Sequence, residues 1–264
     1  MKKLMFAAAT VAALVGMSDI ESENIVGYQT QSWMNKGTYY MMGMQFETTA
    51  GASIKLNDID FGGMTGPYFD DDGAFVATAP QVQLAFANSE GTTSYYYLAD
   101  GNETMDGPGW TDNGGNPANP DVSVALGFWY RNTTSTAPSF TTAGQVVPDS
   151  PWEKDLDAHF RMLVSPFPTA TTLADINFGK IAETAPYYDD DGNFVATATQ
   201  IQVPFVSSEG FTTYFYLADG NETMDGPGWT DNGGNPVDAS SIIIPAGRGC
   251  WFKGNAPLTV TFTK

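Results

Sequence analysis

The chain has 264 residues, of which 30 are acidic and 11 are basic, and its formal net charge is −19. An acidic excess of this size repels phosphate groups, so we expect neither nucleic acid nor anionic lipid as a partner, whereas cations such as Ca²⁺ are attracted. The single cysteine, Cys250, excludes a disulfide framework and a cysteine-based metal site. Charged residues make up 16% of the chain and aromatic residues 13%, which is typical of a secreted β protein.

The amino terminus has the pattern of a secretory signal peptide. Lys2 and Lys3 precede the apolar run Leu4–Val15, which is shorter than the roughly twenty apolar residues of a membrane-spanning helix. Small residues around Ser18 predict cleavage after that residue, and a buried amino-terminal helix is the alternative. We therefore expect residues 1–18 to be a signal peptide. The mature protein is expected to be secreted, with an extracellular, cell-surface or periplasmic location and no membrane insertion.

An internal repeat determines the predicted organisation of the rest. Pro67–Pro117 aligns without gaps to Pro186–Pro236, and because 11 of the 51 positions differ, 40 are identical. A repeat of this length is expected to form one structural unit twice. We predict one β domain over residues 25–145 and a second over residues 146–264, joined near Val147–Pro151, where two prolines disfavour regular structure.

Each copy has the pattern of short strands separated by turns. At the end of Ala74–Phe86 apolar residues alternate with polar or small ones, which is the period of a half-buried strand. Thr92–Leu98, Val122–Tyr130 and Leu258–Phe262 are rich in residues that favour strands. Clusters of Gly, Asn, Asp and Pro lie between these runs. The predicted fold is all-β: two tandem homologous antiparallel β-sandwich or β-barrel domains after the signal peptide.

An acidic loop is the candidate metal site in each copy. Leu98–Pro117 recurs without change as Leu217–Pro236 and holds closely spaced oxygen-bearing side chains, the ligands that Ca²⁺ prefers. The alternative is a series of turns, because the glycine dipeptides of this segment form turns without a metal. The same two interpretations apply to the acidic runs Asp70–Asp72 and Asp189–Asp191. The predicted calcium ligands are Asp100, Asn102, Asp106, Asp112, Asp219, Asn221, Asp225 and Asp231.

Two tryptophans in the same loops are the candidate ligand-binding residues. Trp110 and Trp229 lie among Gly, Asn and Asp, and sugar-binding surfaces often combine an aromatic face with amide and carboxylate groups. The alternative is that each ring anchors its loop by packing into the core. Trp129 and Trp251 lie in strand-like runs, and we expect both to be core residues.

No set of residues predicts catalysis. His159 is the only histidine of the chain and has no counterpart in the first copy, so a histidine-based site is not repeated. Acidic residues are abundant, but loop carboxylates in water stay ionised and do not supply a proton donor. We therefore expect no enzyme, and a glycoside hydrolase that uses two carboxylates is the remote alternative.

The resulting functional prediction is a secreted, non-enzymatic structural or cell-surface assembly protein. Sheet edges would permit self-association, and the terminal strand near Leu258–Phe262 is the first edge to consider. The alternative is a calcium-dependent glycan-binding or adhesive module, whose two copies would bind an extracellular polymer bivalently.

Overall fold

The computed structural model describes most of the chain, and the statements below concern this part. The described residues are 26–31, 35–47, 53–62, 64, 79–86, 91–99, 101–102, 105–133, 139–147, 151–181, 198–205, 210–218, 220–221 and 224–264. They form strands and three short 3-10 helices, Leu56–Asp58, Leu173–Asp175 and Ala239–Ser241. None of the helices described is long and apolar enough to cross a membrane. The all-β prediction is confirmed.

The described residues of the first half, between residues 26 and 147, form twelve strands. They are β1 Val26–Gln31, β2 Tyr39–Gly43, β3 Phe46–Glu47, β4 Ser53–Lys55, β5 Gln81–Ala85, β6 Thr92–Leu98, β7 Gly101–Asn102, β8 Met105–Asp106, β9 Gly109–Thr111, β10 Asp121–Ser123, β11 Gly127–Arg131 and β12 Phe140–Val146. The main sheet has the antiparallel order β2-β11-β5-β6-β9, and a second sheet has the order β1-β12-β3. Strands β10 and β4, and β7 and β8, form two small pairs.

In the second half, residues 151–264, the part of the chain that the structure describes also forms twelve strands. They are β13 Trp152–Leu156, β14 Arg161–Val164, β15 Thr171–Thr172, β16 Ile176–Asn177, β17 Gln200–Pro204, β18 Phe211–Leu217, β19 Gly220–Asn221, β20 Met224–Asp225, β21 Gly228–Thr230, β22 Ile243–Ile244, β23 Gly249–Lys253 and β24 Leu258–Phe262. The main sheet, β14-β23-β17-β18-β21, matches that of the first half strand for strand. The division into two domains near residue 146 stays a prediction.

The terminal strand is not an edge strand. Strand β24 lies between β13 and β16 in its three-stranded sheet, so its neighbours occupy both sides. The expectation that this strand offers an open edge is therefore wrong. All five residues of β24 pair with β13, and Thr261 and Phe262 also pair with β16.

Alternation along β11 divides the first main sheet into two faces. Phe128 and Tyr130 are buried in the core, whereas Trp129 and Arg131 point to the other face and are half-buried. Phe61 fills the centre of this core, with ring centroids 4.7 Å from Tyr130 and 6.4 Å from Phe128. Burial of such aromatic side chains is the main favourable contribution to the stability of a small β structure.

The second face of each main sheet packs against the other half. Strands β2 and β11 contact β14 and β23, and Met41 and Met162 are each only 1% exposed between them. Backbone hydrogen bonds also cross the contact, because the Val164 amide donates to the Ala125 carbonyl at 3.1 Å. Gly43 makes the close approach possible: a Cβ atom at this position would lie 2.1 Å from Cγ2 of Val164.

Two buried arginines of the second half fix the edges of this contact. Arg161 donates from Nη1 to the carbonyl of Phe86 at 2.8 Å and pairs through Nη2 with Asp157. Arg248, 2% exposed, donates from Nε to the carbonyl of Met41 at 3.2 Å, and its guanidinium lies 5.2 Å from the ring centroid of Tyr40. Burial lowers the pKa of Arg248 to about 10, so the side chain stays charged at neutral pH.

We predict that Gly43→Ala destabilises the protein because the added methyl group collides with Val164. The expected loss is about 1–3 kcal/mol of unfolding free energy, as for other overpacked sites. Urea unfolding measures it. In a Val164→Gly background the same substitution should cost much less, since the colliding side chain is gone. Equal costs in the two backgrounds would contradict the close packing of the two halves.

We also predict an acid-dependent contribution from Asp157. Partial burial raises the pKa of this carboxyl, but hydrogen bonds from Arg161 and His159 outweigh it and hold the pKa at about 2, below the ordinary value of 3.8. A depressed pKa stabilises the folded state above pH 3.8, and the contribution disappears as the pH falls through 2.

Thermal unfolding between pH 7 and pH 2 tests this contribution in Asp157→Asn. The variant should be less stable than the wild type at pH 7 by about 1 kcal/mol, reduced by solvent screening, and the difference should vanish at low pH. Asp121→Asn is the matched control, since its ion pair with Lys55 is solvent-exposed. A difference that persists unchanged at pH 2 would refute the ionic origin of the effect.

Candidate functional site

Asp112 organises the turn at the end of the repeated loop. Its Oδ1 atom accepts hydrogen bonds from the backbone amides of Gly114 at 2.8 Å and Asn116 at 2.9 Å. The Asn116 side chain donates to Oδ2 at 3.1 Å, and this hydrogen bond is the main reason why the pKa of Asp112 is lowered. Asp231 is bound in the same way by Gly233 and Asn235. Both carboxylates therefore hold their own turns.

The other predicted calcium ligands are described only in part. Asp106 and Asp225 are exposed on β8 and β20. Asp100 and Asp219 lie outside the described residues, as do the acidic runs 70–72 and 189–191, and the side chains of Asn102 and Asn221 are likewise not described. Within the described part of the chain, no three Asp, Glu, His or Cys residues lie close enough to hold a metal ion. Calcium binding stays a prediction.

The loop tryptophans pack inwards. Trp110 is 3% exposed and lies 5.2 Å from Phe61 between ring centroids, while Trp229 is 8% exposed and lies 5.6 Å from Phe178. Both contacts are edge-on, a favourable arrangement of two aromatic rings. The packing corresponds to the second role that the sequence left open, an anchor for the loop. A ligand-binding role for either ring stays a prediction and would require its loop to open.

Trp129 and Trp251 are not core residues, which corrects the expectation from the sequence. Both side chains are half-buried and lie on the sheet faces that meet between the two halves. Trp129 is directly opposite Gln83 on the neighbouring strand, and Trp251 is directly opposite Gln202. Directly opposite residues share a face of the sheet, so each indole has an amide beside it.

Two open pockets, one beside each of these tryptophans, have equivalent linings. We call them together the aromatic cleft, and each pocket a mouth of it, and define it by Tyr39, Gln83, Trp129, Phe160, Gln202 and Trp251. Its first mouth, about 370 Å³, is lined by Tyr39, Gln83 and Trp129 and by Gly210 and Phe211 of the second half. Its second mouth, about 350 Å³, is lined by Phe160, Gln202 and Trp251 and by Gly91 of the first half.

The two mouths have the same geometry. Tyr39 stands edge-on to Trp129 with ring centroids 6.5 Å apart, and Phe160 stands edge-on to Trp251 at 6.1 Å. Each flanking ring carries a cation. The Arg131 guanidinium lies 5.1 Å from the centroid of Tyr39, and the Lys253 ammonium group lies 4.9 Å from that of Phe160. The repeat has therefore produced one arrangement twice.

Hydrogen bonds hold the polar groups of the cleft. The Tyr39 hydroxyl donates to Oε1 of Gln81, which lies on the strand beside β11. In the second half, Nε2 of Gln202 donates to Oε1 of Gln200 at 3.2 Å. Arg131 donates from Nε to the carbonyl of Gly37 at 2.9 Å. These contacts restrict the rotamers of the groups that a ligand would meet.

The tryptophans bring the two mouths together. The ring centroids of Trp129 and Trp251 are 6.5 Å apart, and their planes are inclined by 55°. The described residues that line the two mouths carry aromatic, amide and glycine groups and no carboxylate. Such a lining can stack on the apolar face of a ring-shaped ligand and exchange hydrogen bonds with its hydroxyl groups.

The comparisons with known proteins identify no relative. No family model matches the chain, and no curated protein or solved structure is significantly similar to it.

Proposed function

We propose that this protein is a secreted, non-enzymatic module that binds a glycan in the aromatic cleft. It would consist of two homologous β domains, over residues 25–145 and 146–264, after a signal peptide over residues 1–18. The observation that carries the proposal is the pair of half-buried tryptophans, each with an edge-on aromatic neighbour and an amide on the neighbouring strand. This combination suits carbohydrate binding, because a sugar has apolar C–H faces and a polar rim of hydroxyls.

The lining of the cleft favours binding over hydrolysis. Glycoside hydrolases need two carboxyl groups on opposite sides of the scissile bond. The carboxylates of Asp112 and Asp231 are bound in their own turns, away from the residues that line either mouth. We therefore propose a binding protein and not an enzyme.

The net charge favours a neutral glycan. With 30 acidic and 11 basic residues, the chain repels polyanions at a distance. Four of the predicted calcium ligands, Asp106, Asp112, Asp225 and Asp231, are not among the residues that line the cleft. In this proposal the predicted calcium ions are therefore structural ions of the loops.

We predict that Trp129→Ala and Trp251→Ala each weaken retention on a neutral polysaccharide by about tenfold, because each removes a stacking surface. Affinity electrophoresis through gels that contain xyloglucan, mixed-linkage β-glucan, glucomannan or amylose measures the effect. Tyr28→Ala is the matched control, since this aromatic side chain is 80% exposed and lies outside the cleft. Thermal unfolding of each variant separates lost binding from lost folding. Unretarded migration of the wild type in all four gels would overturn the proposed function.

Self-assembly is the second candidate function, and strand β1 supports it. Within the described part of the chain, β1 pairs with β12 alone, and its six residues, Val26–Gln31, include no charge. Proteins usually protect such edges with charged residues or proline. The corresponding edge strand of the second half, β13, carries Glu153, Lys154 and Asp155. The first half therefore offers the better edge for pairing with a second copy of the chain.

We predict that Tyr28→Lys suppresses any concentration-dependent association, because it places a charge on the edge of the sheet. Sedimentation velocity over a hundredfold range of concentration measures association. Ile243→Lys is the matched control, because it makes a comparable change at another exposed apolar residue, 59% exposed, outside β1. An unchanged sedimentation profile in an associating protein would exclude β1 as the assembly edge. The Tyr28→Lys variant should bind polysaccharide normally.

A further inference from the structure

We propose that the aromatic cleft is one site, which holds a single soluble glycan chain across the junction of the two halves, with neighbouring sugar units on Trp129 and Trp251. This inference rests on the proposed function and adds the form of the ligand, the stoichiometry and the number of sugar units in contact.

The separation of the two indoles supports a single site. Their centroids are 6.5 Å apart, a distance comparable to the length of one hexose unit in a chain. Consecutive units of one chain could therefore contact both rings. The repeat therefore creates adjacent subsites for one ligand rather than two independent sites for bivalent binding.

The inclination of the rings excludes a flat ligand surface. Because the two planes differ by 55°, sugar units that stack on both must be rotated relative to each other. A free chain can twist between consecutive units, but the chains at the surface of a crystalline polysaccharide are held in one plane. The two rings belong to strands of different sheets, β11 and β23, which contact each other.

The cleft extends beyond the two indoles on both sides. One mouth adjoins Trp129 and contains Phe211 of the opposite half, which is 44% exposed, and the other adjoins Trp251 and contains Gly91. A chain can therefore continue in both directions, so internal segments are bound as well as ends. Affinity should increase with chain length until all flanking rings are covered.

The two subsites are not equal. The first subsite has Tyr39 with its hydroxyl, and the second has Phe160 at the equivalent position. The first is also lined by Gly210 and the exposed ring of Phe211, whereas the second is lined at this place by Gly91. The additional hydroxyl and ring should make the first subsite the stronger one. Trp129→Ala is therefore expected to reduce affinity more than Trp251→Ala.

Isothermal titration with oligosaccharides of increasing length tests the inference. The probe is a ladder of two to eight units prepared from whichever of the four soluble polysaccharides retards the wild type. We expect one oligosaccharide per protein and an affinity that increases at least tenfold along the ladder. Each tryptophan variant should lose most of this increase, and Tyr28→Ala should retain it. In a sedimentation assay with crystalline cellulose, most of the protein should stay in the supernatant.

The two proposals fail in different ways. If none of the four polysaccharides retards the wild type, the proposed function is wrong and the inference falls with it. If a polysaccharide binds but two short oligosaccharides occupy one protein independently, or Trp251→Ala leaves the affinity for long oligosaccharides unchanged, glycan binding stands and the single continuous site is wrong. Equal binding to crystalline cellulose would likewise overturn the proposed soluble, twisted ligand.

Discussion

The close contact between the two five-stranded sheets is the constraint on which the rest of the structure depends. Glycines allow it: a Cβ atom on Gly43 or Gly249 would lie 2.1 Å from Val164 or 2.8 Å from Met41. Two residues further along the same strand, Gly249 is followed by Trp251, and Gly127 by Trp129 in the first half. Residues two apart share a face, so the sheets touch at the glycines and are held apart at the tryptophans. The cleft is the direct result of this change in side-chain size along two equivalent strands.

The contact also has a fixed orientation, because the repeat is not symmetric in its charges. Arg161 occupies the place that Tyr40 has in the first half. Arg161 pairs with Phe252 on β23, and Tyr40 pairs with the equivalent residue of β11, Tyr130. Arg248 precedes Gly249 as Leu126 precedes Gly127. A buried guanidinium is costly unless its donors are satisfied, and here backbone carbonyls, a tyrosine ring and Asp157 satisfy them. Both arginines belong to the second half, and each donates to a backbone carbonyl of the first half.

The strand pattern of the sequence predicts the local structure well and the candidate site poorly. Alternation and turn residues predict β6 and β24 almost to the residue, because these signals are local. The exposure of Trp129 depends on contacts between residues that are far apart in the chain, which no local pattern contains. One signal was available, however. Trp129 lies between Phe128 and Tyr130, and in a strand three consecutive aromatic residues cannot all point into one core.

The loop tryptophans show the effect of a turn on burial. Surrounding glycine, asparagine and aspartate residues make Trp110 look exposed in the sequence, yet the turn closed by Asp112 and Asn116 brings the chain back towards the sheet. The turn carries the polar residues, and the indole is left free to pack on Phe61. The second half repeats the arrangement, with Trp229 on Phe178 and the turn closed by Asp231 and Asn235.

Coupling between stability and binding follows from the position of the cleft. A ligand that contacts both tryptophans binds only while the halves are packed together, so binding would stabilise their contact by mass action. Conversely, the Arg161 contact to the Phe86 carbonyl strengthens the same junction and depends on the ionised state of Asp157. Protonation of Asp157 removes the carboxylate that pairs with the buried guanidinium of Arg161, which weakens the contact between the halves. The proposed binding site therefore depends on a residue that does not line it.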